Sequence, residues 1–76
     1  MITKLNSKLS DVLFIIGKKV KEGRGKKSFT QQDLAFYSET ERSTISRIER
    51  FNYENISIRT LLKIAIILEI NLHEFF

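Results

Sequence analysis

Apolar residues recur along this chain at intervals of three and four, and a capping residue stands ahead of most such groups. Four places share one arrangement: an apolar residue, a Ser, Thr or Asn, and a second apolar residue four positions after it. They are Leu9-Ser10 with Phe14, Phe29-Thr30 with Leu34, Ile56-Ser57 with Leu61, and Ile70-Asn71 with Phe75. Each reads as a hydrophobic staple around an N-cap, where a side-chain oxygen accepts from a backbone N–H that the helix leaves unpaired. Asp33 after Thr30 and Glu74 after Asn71 add the acid of a capping box. A fifth start falls at Thr40 or Glu41, ahead of Ile45 and Ile48. No stretch alternates with the period of a strand, so the pattern predicts an all-α domain.

The five expected helices lie near 10–21, 30–38, 41–50, 57–68 and 71–76, with Gly23 and Gly25 ending the first. Residues 1–9 are left as an N-terminal arm and 10–76 as one domain. In the fourth helix, about 100° per residue gathers Ile58, Leu61, Leu62, Ile64, Ala65 and Leu68 on a broad core-facing side. Ile66 and Ile67 point the other way. With Ile70, Phe75 and Phe76 they form a second apolar surface that nothing inside the subunit covers, and this is the expected homodimer interface.

Length and composition narrow the options. A chain of 76 residues has room for one core. It has no Cys and a single His, so neither a disulfide nor a cysteine-based zinc site can staple it. Stability must come from packing, and no metal or cofactor is expected. Apolar runs do not exceed five residues, against the roughly 18 that a membrane span needs. The basic flanks of "VLFII" do not make a signal peptide. A cytoplasmic protein without membrane contact is the expectation. Net charge is +4 and unevenly spread: residues 1–27 hold eight Lys or Arg against Asp11 and Glu22. "KKVKEGRGKK" serves equally as a solvated helix end or as an attraction for a polyanion.

Residues 30–50, "TQQDLAFYSETERSTISRIER", read as two short helices joined by a tight turn. Leu34, Ala35 and Ser38 face the core from the first, Ile45 and Ile48 from the second. Ala35 is small where the second helix must cross. That leaves Arg42, Ser43, Thr44, Ser46 and Arg47 on an outer side that packing does not ask them to decorate. A helix fits the DNA major groove, and Arg, Ser and Thr can read base edges there.

With these residues in view, "FTQQDLAFYSETERSTISRIER" resembles the helix-turn-helix of the lambda repressor and Cro family, also called the xenobiotic-response-element type. "IGKKVKEGR" resembles that family's first helix and "NISIRTLLKIAIILEINLHEFF" its last two, so the likeness covers about residues 12–76. It is greatest to small dimeric members such as restriction–modification controller proteins and stand-alone regulators. The resemblance implies a compact five-helix domain with its helix-turn-helix at the second and third helices. It implies that Arg42, Ser43, Thr44 and Arg47 read bases, with Ser46 at the edge of that surface. Gln31, Arg50, Asn52 and Tyr53 would contact phosphates, Gln31 also bracing the recognition helix. Arg24 and Glu49 would form a buried ion pair. Where the family often has Gly, this chain has Glu39, Phe51 and Glu69, and Asn52 could take over the helix-ending role from Phe51. Gly23 stands in place of a usual Leu, which would thin the core beneath the first helix.

The implied function is a sequence-specific transcriptional regulator, binding double-stranded DNA as a homodimer on a near-palindromic operator. The alternative is an antitoxin-like module that binds a partner protein as well as DNA. An enzyme is not expected: His73 sits in a terminal capping motif, and no phosphate-binding glycine motif or Cys nucleophile is present.

Overall fold

The structure is a computed structural model and describes residues 2–51 and 56–75, with side chains from Lys8 onward. Among these residues four α-helices follow one another: α1 (Ile2–Lys26), α2 (Gln31–Ser38), α3 (Arg42–Glu49) and α4 (Ile58–Leu68). A single 3-10 turn, Leu72–Glu74, stands where a fifth helix was expected. The fold class is all-helical, as the sequence predicts.

Local chemistry sets most boundaries. Thr30 Oγ1 accepts from the Asp33 N–H at 3.0 Å, and Asp33 Oδ2 accepts from the Thr30 N–H at 2.9 Å, closing a capping box ahead of α2. Ser57 Oγ accepts from the Thr60 N–H at 3.1 Å and starts α4. Glu74 reaches back to the Asn71 N–H at 3.1 Å, which brings the chain round in the terminal turn.

The first helix departs from expectation at both ends. It begins eight residues before Ser10, so Ser10 lies inside a helix and caps nothing, and residues 2–9 are its opening turns. It also runs through Gly23 and Gly25 and stops at Lys26, beyond which Ser28 takes a left-handed φ of 57°. Gly23 is a point of close approach: a Cβ there would stand 3.2 Å from both Leu68 Cδ1 and Ile70 Cδ1. Leu68 and Ile70 fill the space that a larger residue would take.

The core is formed by Ile16 and Val20 from α1, Leu34 and Ala35 from α2, Ile45 and Ile48 from α3, and Leu61, Ile64, Ala65 and Leu68 from α4. Phe75 completes it. This corrects the expected interface, because Phe75 is 0% exposed and the terminal turn encloses it within its own subunit. Ile67 and Ile70 pack partly buried against the same core. Phe76 lies outside the described residues.

Helix α4 is apolar on nearly every side, so periodicity alone could not orient it. Ile58 and Leu62, expected to face inward, are 58% and 36% exposed, and Ile66 is 72% exposed. These three are spaced i, i+4, i+8 and form one outward stripe, across the helix from Leu61, Ile64 and Leu68. Among the described residues, Ile66 is thus the member of the expected interface that lies open to solvent. No helix among the described residues is long and apolar enough to cross a membrane.

Candidate nucleic-acid interface

The turn between α2 and α3 is closed from inside. Ser38 is buried and donates from Oγ to the Leu34 carbonyl at 2.6 Å, so its hydroxyl is satisfied without reaching solvent. Glu39 adopts a left-handed conformation (φ 54°, ψ 46°), and the Thr40 N–H then bonds the Ala35 carbonyl at 2.9 Å. That closure ends α2 at Ser38, and after three further residues α3 begins at Arg42.

Helix α3 buries Ile45, Ile48 and Glu49. Ser43 and Arg47, four residues apart, share the opposite face and are exposed, as is Arg42. Thr44 and Ser46 are half-buried on either flank. Arg42 stands in the first turn, where the helix dipole disfavours a cation by about 0.3–1 kcal/mol, and Glu41 makes no side-chain cap bond there. Local stability does not ask for this arginine; an anion in front of it would.

Arg24, near the end of α1, fixes the far end of α3. Its Nε donates to Glu49 Oε2 at 2.7 Å and its Nη2 to Oε1 at 2.9 Å, a two-pronged contact. Nη1 donates to the Phe29 carbonyl at 2.8 Å, and Gln31 Nε2 donates to Glu49 Oε1 at 3.2 Å. The expected Arg24–Glu49 pair is therefore present, and Gln31 braces α3 through the same carboxylate. The hydrogen bond that Arg24 donates to Glu49, ahead of the charge of that carboxylate, raises the Arg24 pKa above the usual guanidinium value, against an opposing effect of burial.

Arg50 closes α3 and is exposed. Asn52 and Tyr53 lie outside the described residues. Asn52 is not needed to end the helix, since Phe51 itself takes the left-handed conformation at φ 60°.

Sequence reasoning missed what holds Phe51 there. Its ring lies 4.8 Å from that of Phe14 in α1. Below them is Gly17, where a Cβ would be 2.5 Å from the Ile48 carbonyl oxygen and 2.6 Å from Phe51 Cδ1. A bare glycine lets α1 meet the end of α3 directly. The available signal was a Gly inside a helical pattern, a position where the missing Cβ leaves room for a neighbouring backbone.

Comparison with known proteins agrees with this geometry. A helix-turn-helix family model matches residues 20–75. A search of curated proteins returned no match. Among solved structures, the restriction-modification controller protein C.AhdI from Aeromonas hydrophila is similar with a TM-score of 0.74 and 36% identity. That match spans 84% of this chain and 96% of that one. A chain of the SinR protein/SinI protein complex is similar with a TM-score of 0.74 and 31% identity, over 80% of this chain and 59% of that one. With the buried face of α3, the turn closed at Glu39 and the family match agreeing, the chain belongs to the lambda-repressor-like helix-turn-helix family.

Proposed function

We propose that this helix-turn-helix protein is a sequence-specific regulator that binds double-stranded DNA as a homodimer, with α3 in the major groove. The observation carrying the reading is the division of α3. Its apolar side and Glu49 are locked to the body, while Arg42, Ser43 and Arg47 face outward, neither arginine in an ion pair among the described residues. Arg42 and Arg47 are assigned to guanine edges, the commonest specific pairing. Ser43 and Thr44 are assigned to neighbouring bases, and Ser46 to the edge of the same surface. Arg50, with Gln31, Asn52 and Tyr53, is assigned to phosphates, which position the protein without reading sequence. Similarity to a restriction-modification controller protein supports a regulatory role of that kind.

The outward stripe Ile58–Leu62–Ile66 supports the dimer, because a contiguous exposed apolar surface marks an interface. A two-fold axis through it would set two α3 helices about 34 Å apart, so the operator is a near-palindrome with half-sites one helical turn apart. Selection of bound duplexes from a randomised pool tests this. Recovered sites with two inverted half-sites at that spacing support it, and recovery of no common sequence overturns it.

A second reading has one observation in its favour: the similar SinR protein was solved with another protein, SinI. On that reading the α4 stripe receives a heterologous partner, and the purified chain is monomeric while still binding DNA.

A further inference from the structure

Where the end of α2 meets α4, Tyr37, Ser38, Glu39, Lys63, Ile66 and Ile67 line one shallow groove. Tyr37 is 53% exposed, yet its ring is fixed. It stacks on Phe29 at 5.2 Å and meets Phe36 edge-on at 5.2 Å. Ile66 stands beside it as an uncovered knob. The groove therefore continues the Ile58–Leu62–Ile66 stripe onto α2.

The charges at its rim point to what covers it. Glu39 at the end of α2 and Lys63 on α4 have opposite signs, and neither makes an ion pair among the described residues. Two other surface acid–base pairs are closed within the subunit: Lys19 with Glu74 at 3.6 Å and Lys27 with Glu69 at 2.7 Å. One acid and one base on the same apolar patch are self-complementary under a two-fold axis, because each protomer's first residue then meets the other's second.

We propose that this groove sets the register of the homodimer, Glu39 of each protomer pairing with Lys63 of the other across a floor of Tyr37 and Ile66. The proposal rests on the homodimer reading and adds the contact that orients it. The aliphatic stripe supplies area without direction, whereas paired charges select one alignment and penalise others. The position of Glu39 gives the pairing a functional consequence. It lies in the turn itself, three residues before Arg42, so the contact that aligns the two subunits also fixes the spacing of the two α3 helices.

Charge exchange tests it by sedimentation equilibrium on the full chain. Glu39→Lys and Lys63→Glu both keep a non-glycine residue at position 39, so the left-handed backbone there is equally strained in all variants. Each single variant is expected to weaken self-association about ten-fold by placing like charges opposite one another. The double variant Glu39→Lys/Lys63→Glu is expected to restore it to within about three-fold. Circular dichroism confirms that each variant is folded. Single variants that dimerise like the wild type, or a double variant no better than the singles, overturn the pairing and leave the homodimer standing. A wild-type chain that is monomeric at tens of micromolar overturns both.

Discussion

Arg24 and Glu49 meet through two parallel hydrogen bonds of 2.7 and 2.9 Å, joining the end of the first helix to the end of the third. The Glu49 side chain is 4% exposed and that of Arg24 is 19% exposed. The carboxylate accepts from Gln31 as well, so three elements converge on one anion. Removing one side of a buried pair strands the other, at about 3–5 kcal/mol. A 76-residue domain has little more than that in reserve. Glu49→Ala is therefore expected to lower the denaturant midpoint severely or to prevent folding. Gln31→Ala, which leaves the main pair in place, is expected to cost about 1 kcal/mol.

Gly17 and Gly25 should respond in opposite directions to the same substitution. Gly17→Ala puts a methyl 2.5 Å from a backbone oxygen that cannot move aside without shifting α3. A loss of about 1–3 kcal/mol is expected. At Gly25 a Cβ meets nothing within 4 Å and the backbone is helical, so Gly25→Ala should gain up to about 1 kcal/mol. Urea unfolding of the two variants reads both signs.

Among the described residues the left-handed positions are held by Ser28, Glu39, Phe51 and Glu69, while none of the glycines is left-handed. A side chain in that conformation costs about 1–2 kcal/mol relative to glycine. Ser28 is exposed and makes no side-chain hydrogen bond among the described residues, which makes it the clean place to relieve the strain. Ser28→Gly is expected to stabilise the domain by about 1 kcal/mol and to raise its Tm by about 4–8 °C. Ser28→Ala, which keeps the Cβ, should show no such gain.

Two carboxylates outside the core make stability depend on acid. Glu69 is held below the usual carboxylate range by its hydrogen bond and ion pair with Lys27. Glu74 is held below it chiefly by the Asn71 N–H. Groups whose folded pKa is lowered contribute stability that is fully present above their unfolded pKa. That stability is lost as pH falls through the lower folded value. Glu69 is exposed and Glu74 no more than half-buried, so the expected effect is a shallow decline in Tm below the ordinary carboxylate pKa. High salt should flatten the Glu69 part, leaving the Glu74 backbone bond less affected. Thermal melts of the wild type, Glu69→Gln and Glu74→Gln across that range separate the two.

The helix-turn-helix was legible because its signals are local. Thr30 and Asp33 are three residues apart, and Leu34, Ala35, Ile45 and Ile48 repeat with the helix period. The first helix was misjudged because Ser10 satisfies the local pattern of a cap while nothing before it stops a helix from continuing. Gly23 weakens a helix by its conformational freedom, and packing against Leu68 and Ile70 outweighs that. The orientation of α4 was not legible, since Ile58, Leu62 and Ile66 offer as good an apolar face as Leu61, Ile64 and Leu68. The Phe14–Phe51–Gly17 contact joins residues far apart in sequence, where periodicity carries no information.

The central claim is that the outer face of α3 reads bases, and Arg47→Ala tests it most directly. The measurement is the affinity of the folded variant for a selected operator and for random duplex at one salt concentration. Losing one base contact should weaken operator binding by about 1–3 kcal/mol, or roughly 5- to 150-fold, with random DNA little affected, so the specificity ratio collapses. Arg50→Ala, the assigned phosphate contact, should weaken both duplexes alike and make the salt slope shallower by about one unit. Equal losses on operator and random DNA for Arg47→Ala would contradict the account.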